Sequence, residues 1–262
     1  GADLEEFRSY RAVDRVKALG TVWLASTLEC AQCHDHKYDP ISQKDFYQLY
    51  AFFNNVDEVN IQAPRGTEWE TFQAAWPDYL AARERILAPI AEDLVVLQGR
   101  WEEKLLWAAD HPGQGDFHWD RAWEVLGLVW GQDQGEGQLE ATNIVRTPVS
   151  ERSLDESIRL QDYFLARGSL VDESQFAALG IPEITQRLEN LTRQLPPVSR
   201  APTLRRARIA KETFVHHRGD FRSPGDPVEK RTPDALLPRQ ETPMTDRLEL
   251  AQWIVSSENP LT

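Results

Sequence analysis

The sequence predicts a mainly α protein with long helices and a small β or irregular segment towards its C-terminus. Three observations carry this. Apolar residues recur every three or four positions through most of the chain. Serine and proline, residues that favour helix starts, stand where several of those runs begin. Apolar–polar alternation is confined to one stretch, "RIAKETFVHHRGDF".

Taken in order, Phe7, Tyr10, Val13 and Val16, then Val22, Trp23 and Leu28, fit two helices with a break at Gly20, the second running into Cys30. Asp39-Pro40 stops and turns the chain, and Ser42 is placed to cap a helix over 45–54 with Phe46, Tyr50 and Phe53 on one face. Residues 56–71 read as a loop. A long apolar periodicity over 77–109 predicts helix, kinked or divided at Pro89. Between 110 and 137 glycines punctuate the chain around a short helical segment, 119–130, and those from Gly131 to Gly137 are the strongest loop signal. Residues 153–166 and 181–195 are helical, the latter with Pro182 at a position that suits proline, and Pro196-Pro197 ends it. After the alternating stretch a proline-rich segment leads to Thr245, read as the cap of a last helix over 246–256. The chain divides accordingly into 1–57, a Trp-rich helical insert over 58–143, a helical linker over 144–200, and a strand-then-helix segment over 201–262.

With 42 acidic against 29 basic residues, the net charge of −13 disfavours nucleic acid and anionic membrane surfaces as partners. No apolar run is long enough to span a bilayer, and the opening Gly1-Ala2-Asp3-Leu4 lacks the features of an export signal.

The two cysteines of the chain stand three apart and are followed at once by histidine, as Cys30-Ala31-Gln32-Cys33-His34. C-x-x-C-H is the attachment signature of a c-type haem. Two thiols at this spacing reach the two vinyl groups along one porphyrin edge, and the adjacent imidazole falls under the iron. On this reading Cys30 and Cys33 form thioethers to one covalent haem c and His34 is the proximal iron ligand. Three other readings stand beside it: a thioredoxin-like redox pair, which wants a βαβ context; a zinc site on the cysteines with one or both of His34 and His36, which usually needs a second, distant ligand pair; and a chance match.

The segment "TVWLASTLECAQCHDHKYDPISQKDFYQLYAFFNN" resembles the haem-motif region of planctomycete-type cytochrome c-like proteins, whose chains join domains of unknown function (families 1549 and 1553) around a C-x-x-C-H-D-H-K-[FY]-D-P stretch. "RTPVSERSLDESIRLQDYFL" is similar to their helical linker, and "TFVHHRGDFRSPGDPVEKRTPDALLP" with "TDRLELAQWIVSSENPLT" resembles the start of the second domain. The resemblance implies an exported, periplasmic or extracellular, haem c protein, helical around the haem, with no catalytic activity to transfer. It carries roles only for Cys30, Cys33 and His34. It also makes this chain part of something longer, or a subunit whose last helix packs on its own core or on another chain.

The remaining site expectations come from the residues. Lys37 can pair with a haem propionate, and Phe46 and Tyr47 can pack on the porphyrin. His36 is too close to His34 to reach the opposite face of the same haem and is read first as a hydrogen-bonding residue, while Asp39 sets the turn before Pro40. For the second axial position His216 comes first, followed by His118, His217 and Met244, the single methionine. Neighbours on a strand face opposite ways, so only one of His216 and His217 can look inward. Phosphate loops, nucleophile elbows and zinc-protease motifs do not occur in the sequence. The expectation is an electron carrier rather than an enzyme, working with redox partner proteins and with other chains of a larger assembly or copies of itself. A peroxidase-like haem enzyme with an open distal position, and a structural module stapled by haem or zinc, are the alternatives.

Overall fold

A computed structural model describes residues 3–134, 140–208, 210–236, 242–257, 259 and 261. In chain order its elements are α1 (Leu4–Trp23), α2 (Gln43–Asn54), β1 (Val56–Gln62), α3 (Glu68–Leu87), α4 (Ala91–Asp110), α5 (Phe117–Gln134), α6 (Glu140–Arg146), α7 (Leu154–Arg167), α8 (Glu173–Ala178), α9 (Ile181–Thr192), β2 (Arg200–Arg206), β3 (Thr213–His216), β4 (Pro224–Val228) and α10 (Arg247–Ile254). The fold is mainly α, with long helices and short strands. The chain forms two compact units, one of Asp57–Arg205 and one assembled from Asp3–Val56 with Arg206–Thr262.

The second of these units carries the cysteines. The Asp3 carboxylate starts α1 by accepting the amides of Glu5 and Glu6 at 2.9 and 3.3 Å. The break expected at Gly20 does not occur: the helix runs on to Trp23. Gly20 is there for contact, since a Cβ on it would lie 2.6 Å from Leu28 Cγ. The turn comes later, where Ala25 adopts φ 47° and the Ser26 amide donates back to the Gly20 carbonyl at 3.0 Å. Leu28–Gln32 then forms a 3-10 turn instead of the end of a second α-helix.

Helix α2 starts as expected at Ser42, whose hydroxyl accepts from the Asp45 amide (3.1 Å) while the Asp45 carboxylate accepts from the Ser42 amide (2.8 Å). Phe46, Tyr47, Leu49, Tyr50 and Phe52 are all buried, as are Asp45, Gln48 and Asn54, so α2 is buried nearly all round and forms the centre of the unit. At its C-terminal end Asn55 holds the returning chain: its carbonyl accepts from the Ala207 amide (3.0 Å), and its side chain pairs with both main-chain groups of Lys211 (2.6 and 2.9 Å). That anchor sets β3 against α2, and Asn54 donates to Thr213 Oγ1 at 2.9 Å. β3 pairs antiparallel with β4, with an irregularity between Phe214 and His216. The prolines of β4 are tolerated because this sheet has only two strands.

The last helix is capped by Asp246, which accepts from the amides of Leu248 and Glu249. Thr245, expected to be the cap, instead donates through its amide and hydroxyl to the Glu249 carboxylate at 2.7 and 2.9 Å. Leu250, Trp253 and Ile254 join the core of Val13, Val16, Leu28, Phe46 and Tyr47, so this helix packs on its own unit.

The other unit is a helical assembly around Leu94, Leu97, Trp101, Leu105, Trp130, Ile144, Leu160 and Phe164. Pro89 divides α3 from α4 through a short 3-10 turn, as its missing amide requires. Residues 56–71 are not a loop. They hold β1, paired with β2, and the first turn of α3, tied by Glu68 to the amide and hydroxyl of Ser199 at 2.9 and 3.0 Å. Helix α5 continues through Gly131 to Gln134, beyond the expected start of a loop; Gly135 and Gly137 lie outside the described residues. Trp101, Trp119 and Trp130 are buried core residues, whereas Trp107 stays exposed. Ion pairs of low exposure lock the helices, among them Arg152 with Glu102 at 2.7 Å, Arg83 with Asp162 at 2.7 Å and Arg159 with Glu140 at 3.0 Å.

Candidate functional site

The 3-10 turn presents Cys30 and Cys33 on the surface as free thiols, while Leu28 and Ala31 on its other side are buried. His34 follows, exposed, with Nδ1 2.7 Å from the carbonyl of Asp35. That contact assigns the proton to Nδ1, which donates, and leaves the Nε2 lone pair free for a metal. The Asp35 carboxylate in turn accepts the amide of Gln43, the first residue of α2, at 2.8 Å. A carboxylate at a helix N-terminus is favourably placed, since the amides there point at it.

His36 shapes the loop. Its Nδ1 accepts from the amides of Asp39 (2.8 Å) and Tyr38 (3.3 Å), and its own amide donates to the Ile41 carbonyl (2.8 Å). Asp39 also accepts from the Ser26 hydroxyl at 3.3 Å, which joins the loop to the end of α1. Lys37 is exposed with Nζ 5.0 Å from the centroid of the exposed Tyr38 ring. Phe46 and Tyr47 both lie in the core beneath the loop, their rings edge to face at 5.2 Å. Tyr47 also reaches the loop, its hydroxyl donating to the Gln32 carbonyl at 3.1 Å. Burial pushes the Tyr47 phenol up, with Tyr50 and Cys33 adding to the effect, so it acts as a hydroxyl donor and not as a phenolate.

Of the residues considered for the far side of an iron, His216 is brought to this loop from far along the chain. It ends β3, is 8% exposed, and lies against the rings of Tyr47 (4.7 Å) and Tyr50 (5.4 Å). Burial first, then the Arg8 cation, push its pKa down to about 4, so the imidazole is neutral at physiological pH. Its Nδ1 is buried with no hydrogen-bond partner among the described residues. In this it differs from His34, whose Nδ1 is held. His217 lies past the strand, at the start of a 3-10 turn, where it is exposed and packs beside Gly225. Met244 is buried in the core, its amide donating to the Lys230 carbonyl at 2.8 Å. His118 belongs to the unit of Asp57–Arg205, where it is exposed and bonded to Asp116 at 2.7 Å.

Two residues that sequence reasoning did not single out complete the site. Gln43 donates through one amide nitrogen to the carbonyls of Gln32 (3.0 Å) and His216 (3.2 Å). Gly219, at φ +78°, comes so close to the loop that a Cβ there would lie 3.0 Å from Cys33 Sγ. The glycine was visible as a turn residue in His217-Arg218-Gly219-Asp220, but nothing local shows what it faces. Gln43 carried no signal, since a polar residue at the first turn of a helix is ordinary.

The residues present fit a covalent haem: two exposed thiols at the required spacing and an imidazole whose outer nitrogen is free and whose inner nitrogen is held. Among the described residues no group of three or more His, Cys, Asp or Glu side chains is placed to hold a metal ion, and structural zinc needs four donors.

The class defined by fold and site is thus a mainly α protein carrying a C-x-x-C-H turn on its surface. Residues 1–58 match the model of a family described as PSCyt2, a protein of unknown function (DUF1549). No curated protein and no solved structure matches the chain. No helix among the described residues is long and apolar enough to cross a membrane.

Proposed function

We propose that the chain is a monohaem c-type cytochrome module that passes one electron at a time between redox partner proteins. The observation that carries the reading is the state of the Cys30–His34 turn: both thiols exposed, and the exposed His34 with its Nδ1 committed to the Asp35 carbonyl. A bound haem would supply a one-electron couple. The chain would hold it through Cys30 and Cys33 and position its iron with His34.

His216 is the first choice for the second axial position, supported by its neutral imidazole and its place on a segment that touches Cys33 through Gly219. His118, His217 and Met244 are the alternatives. Lys37, exposed in the loop, is offered as a partner for a propionate, and Tyr47 and Phe46 as the floor beneath the loop. The likeness of residues 201–262 to the second domain family, and export to the periplasm or cell exterior, belong to the same reading. Its partners are redox proteins and other chains of a larger assembly.

Production in a host with c-type maturation machinery tests it. The expected result is one haem per chain in a pyridine haemochrome assay and in the intact mass. A mass equal to the bare polypeptide, or stoichiometric zinc, would reject the assignment. Spin state separates carrier from enzyme: a low-spin iron with two protein ligands supports electron transfer, and a high-spin iron that binds peroxide supports a peroxidase-like role.

A further inference from the structure

Among the described residues, the hydrogen bonds that tie the Cys33-His34 dipeptide's two flanking residues to helix α2 come from Gln43 and the Tyr47 hydroxyl. On one side its side-chain amide donates to the carbonyl of Gln32 at 3.0 Å; on the other its main-chain amide donates to the carboxylate of Asp35 at 2.8 Å. The second hydrogen of the same side-chain amide reaches the carbonyl of His216 at 3.2 Å. One residue thus holds the Cys33-His34 dipeptide on either side and joins it to β3. The Gly219 backbone lies against Cys33 Sγ and the Gln32 side chain, which closes the same junction from the strand side. The Asp35 group so held is the one whose carbonyl receives His34 Nδ1.

We propose that Gln43 is a positioning residue for the cysteine loop, its side-chain amide clasping the Gln32 and His216 carbonyls so that Cys33 and His34 stand in a defined place relative to β3. This rests on the haem reading only for what the loop is positioned to hold. The clasp is a property of the polypeptide. It predicts that the loop from Gln32 to Ile41 opens more easily, while the rest of the unit does not, when the side-chain amide is lost.

Native-state trypsin cleavage of the full haem-free chain reads this directly, because Lys37 is exposed inside the loop and its cleavage rate follows the population of the opened loop. Gln43→Ala removes both donors, and Gln43→Met removes them while keeping the side chain's length, in case the alanine variant folds poorly. Each leaves the main-chain bond to Asp35 in place. Losing two hydrogen bonds should speed cleavage after Lys37 by about five- to thirtyfold, with cleavage after Lys17 in α1 unchanged. Equal acceleration at both sites would mean general loosening of the unit and would overturn the proposal, as would an unchanged rate at Lys37. In haem-loaded protein, Gln43→Met should keep the covalent haem and alter its spin-state mixture. If wild-type chain takes up no haem, the functional reading fails on its own and the cleavage rates still decide the clasp.

Discussion

Replacing His216 by phenylalanine should remove a pH dependence from the stability of the haem-free protein. The imidazole is 8% exposed between Tyr47 and Tyr50, and its pKa is pushed down to about 4 by burial and by Arg8, against the opposing pull of Asp220. In the unfolded chain the same group titrates near 6.5. The folded state therefore binds its proton more weakly than the unfolded state. Stability from this group is complete above about pH 6.5 and is lost as the pH falls towards 4. The gap between 6.5 and 4 sets a ceiling of about 3 kcal/mol, and from pH 8 to pH 5 the loss is about 2 kcal/mol. Because Nδ1 has no hydrogen-bond partner among the described residues, phenylalanine sacrifices no bond there and keeps an aromatic ring against the tyrosines. Urea denaturation at pH 8, 6.5 and 5 should show the variant at least as stable as wild type at pH 5 and losing about 2 kcal/mol less between pH 8 and 5. Carboxylates titrate in both proteins and cancel in the difference. Parallel pH profiles would show that His216 is not buried neutral, and the argument from its environment would fall.

Gly219→Ala should destabilise the protein by about 1–3 kcal/mol in the same assay, since it forces a Cβ both onto a left-handed backbone and against Cys33 Sγ; Gly66→Ala, equally left-handed but with open space around it, should cost only the backbone part. In the other unit, Arg152→Ala leaves Glu102 largely buried without its cation and should cost about 3–5 kcal/mol by chemical denaturation. With haem attached, Cys30→Ala or Cys33→Ala should leave a single thioether, seen as a shifted haemochrome band, and His216→Ala should turn a low-spin spectrum high-spin if His216 holds the iron. An unchanged low-spin spectrum would point to Met244, His217 or His118.

Local chemistry made several elements legible in the sequence. Ser42 with Asp45 and Ser153 with Glu156 satisfy helix-end amides within four residues, and Pro89 breaks a helix through its own missing amide, so no tertiary contact is needed to see them. The Cys30–His34 motif is likewise a matter of spacing. The errors fell where contact overrode local preference. Gly20 and Gly131 read as breakers, yet both lie inside helices, and at Gly20 the reason is the close approach of Leu28. The strand β1 was hidden because its partner β2 lies well over a hundred residues away, and a lone strand has no signature as strong as a helix period. By itself the sequence determined the helical class, the cap at Ser42 and the spacing of the thiols and imidazole, because those depend on neighbours along the chain. Only the tertiary structure decided that His216, Gly219 and Gln43 meet at Cys33. That meeting depends on Asn55 capturing the chain again at Lys211 and on α2 being buried nearly all round, and both are contacts between residues far apart in sequence.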